Sequence, residues 1–521
     1  MPQLKSLHNS ILFITALITL VISILTFIHP PALYPDTAFG FQVLRSMLKG
    51  GEFNILPRPD HFDISKDQHY FLAWWSPGQY LIPYAFIKLF GLNIGRAVAV
   101  TVCLASVIGQ IGFYRLFKRL GFTPMQAAMS IFFIACQQFY VIPYIFYNGG
   151  EILIFAFTGW FLLGCTVINK TNWQFGLFVL LSGLIGFFCK SSFIWLYSAG
   201  LIYLWIRLSN RQKIGKWLIN GIAMAIPAIL SLAIIYFGYL SKGETPASET
   251  DGLRFTLEAF VFPIAAPLLA GFSIDDVTNG LIIHADVPIF NPQWTTIVLL
   301  LMAAGSIALF IAILKKVPNK NYGLLTAVIY AVSFLFFCSQ FLIQADISYE
   351  ARHLRILGII IIPGAFYLLS NAKIHLQAAF SFFWLFVLGH TFYFFGKGYH
   401  RNAFETAHGS SGVAHMFIDQ TTLNYITKID EQRPDARFVF ISPDIGLELK
   451  NSQIITLNPI GDDLVIDHDY YNHVGHSGPL YLVLPASYKG PKSTALMKGF
   501  VDYHDFKVIT PGKSSIIYQA E

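Results

Sequence analysis

The chain reads as a polytopic α-helical membrane protein with a small α/β domain at its C-terminal end, and three observations predict this class. Its 521 residues are 55% hydrophobic and 16% aromatic but only 12% charged, about half the roughly 25% charged share usual in soluble domains. The apolar residues gather into runs long enough to cross a bilayer, which takes about 20 residues of helix. After His400 the charge density becomes ordinary and short alternating runs replace the long apolar ones. The net charge of +6 comes from Lys and Arg scattered singly over short loops. That pattern is explained by membrane orientation and excludes nucleic acid as a partner. The five cysteines all lie inside apolar runs, so neither a disulfide framework nor a Cys-based zinc site is available.

About eleven such runs are expected as spans, near 11–28, 96–116, 124–145, 151–168, 173–189, 193–207, 217–239, 294–314, 322–343, 354–370 and 376–395. The first is followed by Pro30-Pro31 in place of a small-residue cleavage site, so it is read as a retained helix and not a signal peptide. Phe71 to Phe90 is also apolar but is interrupted by Pro77, Gly78 and Pro83, and is expected to form re-entrant or interfacial helices. Basic residues alternate between loops: Lys5, then Arg115, Lys118 and Arg119, then Lys170, then Arg207, Arg211, Lys213 and Lys216, then Lys315, Lys316 and Lys320, then Lys373. This places the N-terminus in the cytoplasm of a cell whose plasma (inner) membrane holds the chain. The acids of the first 400 residues, among them Asp36, Glu151, Asp275, Asp276 and Glu350, fall on the opposite side, which points to an extracytoplasmic working face.

Residues 1–399 are therefore read as a transmembrane domain with large external loops at about 29–95 and 240–293, and residues 400–521 as an extracytoplasmic α/β domain. Loops of that length are usually functional. Thr37–Leu48 and Leu253–Leu269 carry apolar residues at helical spacing suited to lying on a membrane surface. In the last domain a helix is expected over Met416–Gln432, with strands at Phe438–Ser442, Gln453–Leu457, Leu480–Pro485, Lys507–Thr510 and Ser515–Tyr518.

Six residues could carry chemistry. Asp36, in Tyr34-Pro35-Asp36-Thr37, stands just beyond the first span; a carboxylate there can cap a helix, ligate a metal or take a proton from a substrate hydroxyl. Glu151 opens the fourth span after Asn148-Gly149-Gly150, where it complements the helix dipole or joins Asp36 in acid/base work or in holding a divalent cation such as Mg or Mn. Lys190 closes the fifth span on the side where cations are disfavoured, and either snorkels to lipid phosphate or binds a substrate anion. Arg352, His353 and Arg355 open the tenth span in Tyr349-Glu350-Ala351-Arg352-His353-Leu354-Arg355. They suit a phosphate at the membrane surface, the structural alternative being a salt bridge to Glu350. His468, Asp469, His473 and His476 form a weaker metal-like group.

The order of these features resembles the GT-C class of polyprenyl-phosphate-sugar-dependent glycosyltransferases, in particular the protein O-mannosyltransferase and aminoarabinose transferase relatives. The resemblance covers roughly residues 10–370. It rests on Asp36 in YPDTAFGFQVLRSMLKGGEF, the stretch WWSPGQYLIPYAFIKLFGLNIGRAVAV, Glu151, Lys190 and YEARHLRILG. It implies that Asp36 is the base or acceptor-positioning carboxylate, and that Glu151 assists it or shares a divalent cation with it. It further implies that Lys190, Arg352, His353 and Arg355 hold the lipid phosphate. The partners implied are a polyprenyl-phosphate-linked sugar donor, a lipid, glycan or protein acceptor, and the lipid bilayer. Two other classes fit the span count: a secondary transporter or lipid flippase, which would place charges at mid-membrane in repeated halves, and a non-catalytic scaffold of an envelope-polymer machine. Here the ionisable residues cluster at span ends.

Overall fold

The structure, a computed structural model, describes residues 2–60, 62–209, 213–243, 250, 252–278, 280, 292–461, 464 and 471–521. In chain order the helices begin with α1 (Pro2–Ile28), α2 (Pro35–Leu48), α3 (Gly78–Phe90), α4 (Ile94–Arg119), α5 (Pro124–Ala135) and α6 (Gln138–Ile145). They continue with α7 (Gly150–Val167), α8 (Trp173–Cys189), α9 (Phe193–Ser209), α10 (Ile214–Gly238), α11 (Leu257–Gly271) and α12 (Ile274–Val277). The last six are α13 (Pro292–Lys316), α14 (Lys320–Leu342), α15 (Arg355–Ser370), α16 (Ile374–Phe404), α17 (Gln420–Gln432) and α18 (Pro491–Gly499). Every apolar run expected as a span is helical. Among the described residues, α1, α4, α7, α10, α13, α14, α15 and α16 are long and apolar enough to cross a membrane, and α5 with α6 passes as one span bent by 47°. Helices α8 and α9, 17 residues each, lie at the short end of the spanning range of about 17–25 residues.

The chain divides into two compact units. Unit 1 holds Met1–Ser23, Val102–Pro143 and Gly149–Gly396; unit 2 holds Ile24–Thr101, Tyr144–Asn148 and Lys397–Glu521. In unit 1, α11 packs against α13, α14 and α15. Of the stretch Leu253–Leu269 expected to lie on the membrane surface, Leu253, Phe255 and Leu257 are exposed, and the part from Ala259 onward is instead packed inside the helices. Ala259, Phe262, Ala265, Ala266, Leu269 and Ala270 are all but inaccessible, because a helix that is apolar on every side has no face to offer water. In α11, which contains Pro263 and Pro267, the hydroxyls of Ser306 and Tyr330 donate to Ala265 O (3.0 Å) and Ile264 O (2.7 Å). In α15, which contains Pro363, the Tyr322 hydroxyl stands between Ile360 O (3.0 Å) and Gly364 N (3.1 Å), the partners of one helical rung. Such side-chain repair is what apolar surroundings demand of a broken helix.

In unit 2, a two-stranded parallel ladder joins β1 (Ala32–Leu33) to β4 (Phe146–Tyr147), and a hairpin joins β2 (Ile55–Pro59) to β3 (Asp67–Phe71). The interrupted stretch before residue 90 resolves into this hairpin's second strand followed by the single helix α3. Strands β5 (Ala407–His408) and β6 (Ala414–His415) pair antiparallel. The remaining strands, β7 (Arg437–Phe440), β8 (Gln453–Thr456), β9 (Leu480–Pro485), β10 (Lys507–Ile509) and β11 (Ser515–Ala520), form one sheet in the order β10-β11-β9-β7-β8. All five coincide with the expected runs. Alternation splits β7 between two cores: Phe438 and Phe440 pack with Leu423 and Ile426 of α17, while Val439 packs with Leu496 of α18 and with Ile64 from the first loop.

Candidate functional site

Within unit 1 the structure gathers Glu151, Lys190, Arg352 and His353. Gly149 takes φ +71 as N-cap of α7, a conformation that a glycine adopts at little cost, and this sharp entry puts Glu151 at the second helical position. The chain of Lys190, C-cap of α8, runs along that entry. A Cβ on Gly150 would stand 2.9 Å from Lys190 Cγ, so the glycine makes room for the cation. Lys190 Nζ then meets Glu151 Oε1 at 2.6 Å, and both side chains stay partly exposed, at 16% and 20%. Arg352 acts electrostatically on Glu151, and both Lys190 and Arg352 act on His353. Arg352 Nε lies 2.5 Å from Glu350 Oε2, the salt bridge weighed above, and Ser348 Oγ donates to Glu350 Oε1 at 2.9 Å. His353 Nε2 is 3.4 Å from Ser348 Oγ. Two cations balanced by two carboxylates, all reachable, can exchange those carboxylates for the oxygens of an arriving phosphate.

Arg355 belongs to a different arrangement. Its guanidinium makes a two-pronged pair with Asp276 (2.9 and 3.0 Å), donates to Ala270 O at 2.9 Å and lies 4.5 Å from the centre of the Phe139 ring. Asp275 Oδ2 accepts from Ala351 N at 2.9 Å. Asp275-Asp276 was legible only as an external acid pair; its partnership with a residue some eighty positions later has no local signal. These contacts fasten α12 to the start of α15 and to the 3-10 turn Ala351–Leu354 that carries Arg352 and His353.

In unit 2, Asp36 is the second residue of α2 and half-buried. It is not the N-cap expected of it. Tyr34 is the cap, without a side-chain bond, and Pro35 occupies the first helical position, for which its locked φ and missing N–H suit it. The carboxylate is thus displaced into the first turn, where the helix dipole favours its charge. Tyr34 N donates to Tyr147 O at 3.0 Å, extending the ladder in which Leu33 pairs with Tyr147. One turn on, a Cβ on Gly40 would stand 2.3 Å from the Tyr80 ring, so α2 meets α3 at a point only glycine allows. Arg58 lies 5.0 Å from the centre of the Phe39 ring and 5.9 Å from that of Trp74.

Glu151 is matched to Lys190 and not to a second acid. Among the described residues no group of three or more His, Cys, Asp or Glu side chains is placed to hold a metal ion. Of the weaker histidine group, His468 and Asp469 lie outside the described residues. His473 stacks on Phe500 (4.8 Å between ring centres) and His476 on Tyr503 (4.5 Å).

Taken with its helices, the chain has a GT-C-like fold. The solved structures similar to it include ArnT from Cupriavidus metallidurans in the apo state, with TM-score 0.51 and 11% identity, and the same protein bound to undecaprenyl phosphate, with TM-score 0.50 and 11% identity; each likeness covers 97% of this chain and 97% of ArnT. The archaeal oligosaccharyltransferase AglB from Archaeoglobus fulgidus, in complex with an inhibitory peptide and a dolichol-phosphate, is similar at TM-score 0.46 and 12% identity over 99% of this chain and 74% of that one. No protein-family model and no curated protein matches the sequence. The likeness is one of fold, and the chain is a membrane protein.

Proposed function

We propose that the protein is an integral-membrane glycosyltransferase that moves a sugar from a polyprenyl-phosphate donor to an envelope acceptor on the extracytoplasmic face, with inversion at the sugar. The observation that carries this reading is the partly exposed Glu151–Lys190–Arg352–His353 group at helix ends of a GT-C-like fold. Nucleotide sugars stay in the cytoplasm, so transfer outside needs a donor whose lipid tail crosses the bilayer and whose phosphate lies at the outer interface. ArnT, whose fold the chain shares, has been solved bound to such a lipid phosphate.

In the proposed reaction Asp36 accepts the proton of an acceptor hydroxyl as that oxygen bonds to the anomeric carbon. The bond from this carbon to the donor phosphate oxygen breaks, and polyprenyl phosphate departs with the electron pair. Lys190 and Arg352 stabilise the charge that grows on it, Glu151 and Glu350 releasing them to do so. No step is routed through a metal ion.

The test is Asp36→Asn, which changes little volume and leaves the cap untouched. With a radiolabelled lipid-linked sugar and native envelope extract as acceptor, transfer should fall by about 100-fold or more, in the range of a lost general base, while donor binding persists. Near-normal transfer by the folded variant would remove Asp36 from the mechanism. Donor crossing proteoliposomes without any transfer would instead favour a flippase.

A further inference from the structure

The part of the molecule that this chemistry leaves unused is the domain after His400, and its most unusual feature is a charged group with no access to substrate. His415 on β6 is completely buried between two carboxylates: Nδ1 is 2.7 Å from Asp444 Oδ2 and Nε2 is 2.9 Å from Glu448 Oε1. Ionised carboxylates only accept, so both ring nitrogens must donate and the ring is an imidazolium. Glu448 also receives Ser411 N (3.2 Å), Ser410 Oγ (3.0 Å) and Ser411 Oγ, and Asp444 receives Ser442 Oγ. A buried ionic trio is expensive, and apolar side chains of similar volume generally stabilise a core as well or better. Its use therefore lies in holding one arrangement.

What it holds can be read from its neighbours. Asp444 and Glu448 lie on the 3-10 turn Pro443–Glu448, and α2 packs along this turn. Gln42 Nε2 donates to Pro443 O at 2.9 Å, Arg45 Nε to Leu449 O at 2.7 Å, and Lys49 Nζ to Lys450 O. At about 100° per residue, Gln42, Arg45 and Lys49 fall roughly 180–240° around α2 from Asp36. The C-terminal domain thus grips the back of the helix whose front bears the acid. On the other side of the trio, Ala414 N meets Pro31 O at 3.4 Å, and Pro31 precedes β1, which leads through Tyr34 and Pro35 to Asp36.

We propose that the C-terminal domain is a working part of the catalytic centre, in which the His415–Asp444–Glu448 trio fastens the turn that grips α2 and so positions Asp36. His415, Asp444 and Glu448 are positioning residues; buried as they are, they touch no substrate. The proposal rests on Asp36 being the base.

The test is a double-mutant cycle between Glu448→Gln and Asp36→Asn, read as kcat, acceptor KM and donor affinity of the full chain. A misplaced base costs rate steeply, so Glu448→Gln should lower kcat by about tenfold or more, leave donor affinity within about twofold and add no further loss in the Asp36→Asn background. Arg45→Ala, on the half-buried rim of the grip, should lower kcat in the same way with the trio intact, and Arg45→Lys should restore it. A pH profile supplies a readout that packing alone would not move. The groups facing His415 are Asp444 and Glu448 from the turn and His408 from β5, itself beside His29. Wild-type kcat should fall above about pH 9, and Asp444→Asn should bring that fall to lower pH. An unchanged kcat in folded Glu448→Gln, or a loss that repeats in full when Asp36 is already Asn, overturns the proposal and leaves Asp36 as base. Near-normal transfer by Asp36→Asn alone overturns both.

Discussion

At the scale of single residues, three cations expected to share one task, Lys190, Arg352 and Arg355, divide between two. Lys190 and Arg352 are partly exposed and paired with carboxylates that a phosphate can replace, whereas Arg355 is buried against Asp276. A charge-assisted hydrogen bond contributes on the order of 1.5–3 kcal/mol. Lys190→Ala or Arg352→Ala should therefore weaken lipid-donor binding by about tenfold or more while the protein still folds, measured by titrating the purified chain with the donor. Arg355→Ala should behave differently. It strands the Asp276 carboxylate, a loss of roughly 3–5 kcal/mol, and should appear as a lowered melting temperature with donor affinity preserved in whatever folds. Equal effects of the three substitutions would contradict this division. Since Lys190 already neutralises Glu151, transfer should also survive chelation by EDTA; loss on chelation, restored by Mg or Mn, would show that the carboxylates recruit a cation in the donor complex. Glu151, Lys190, Arg352 and His353 were legible as candidates because charges at apolar helix ends on the basic-poor side are costly and therefore noticeable. Asp276 was not matched to Arg355, because their closeness depends on how α12 meets α15.

At the scale of elements, the C-terminal sheet followed from period-two alternation in its strands, and the spans followed from run length. What alternation could not supply was the function of the polar positions between them. His415, Asp444 and Glu448 are unremarkable in sequence, and they become a unit only when β6 and the turn after β7 are packed together. Their titration gives a stability prediction. Burial would lower the His415 pKa, but the hydrogen bonds and charges of Asp444 and Glu448 raise it to about 9. Its contribution is fully present below the unfolded value of about 6.5 and is lost as pH rises through about 9. Burial would raise Glu448, but His415 and Ser411 hold it down at about 2, so its contribution is present above the unfolded value of about 4.5 and is lost as pH falls through about 2. The difference in melting temperature between wild type and His415→Gln should therefore be largest between about pH 4.5 and 6.5 and shrink on either side. A difference independent of pH would mean that the ring is not charged in the folded chain.

At the scale of the whole molecule, loop charges predict that a reporter fused after Glu521 is active outside the cytoplasm and one inserted near Lys213 is active inside. A cytoplasmic C-terminus would place the proposed site on the wrong face for a lipid-linked donor. The membrane class, the helical spans and the five-stranded sheet were already written in the linear chain. Each of these depends on composition, period or charge within a short stretch of chain. Packing between elements is what buries α11 from Ala259 onward, turns Arg355 toward Asp276 and sets the last domain against α2. These outcomes depend on which elements pack together, and the free energy of burying a charge or an apolar face is settled by a neighbour that can lie hundreds of residues away in the chain.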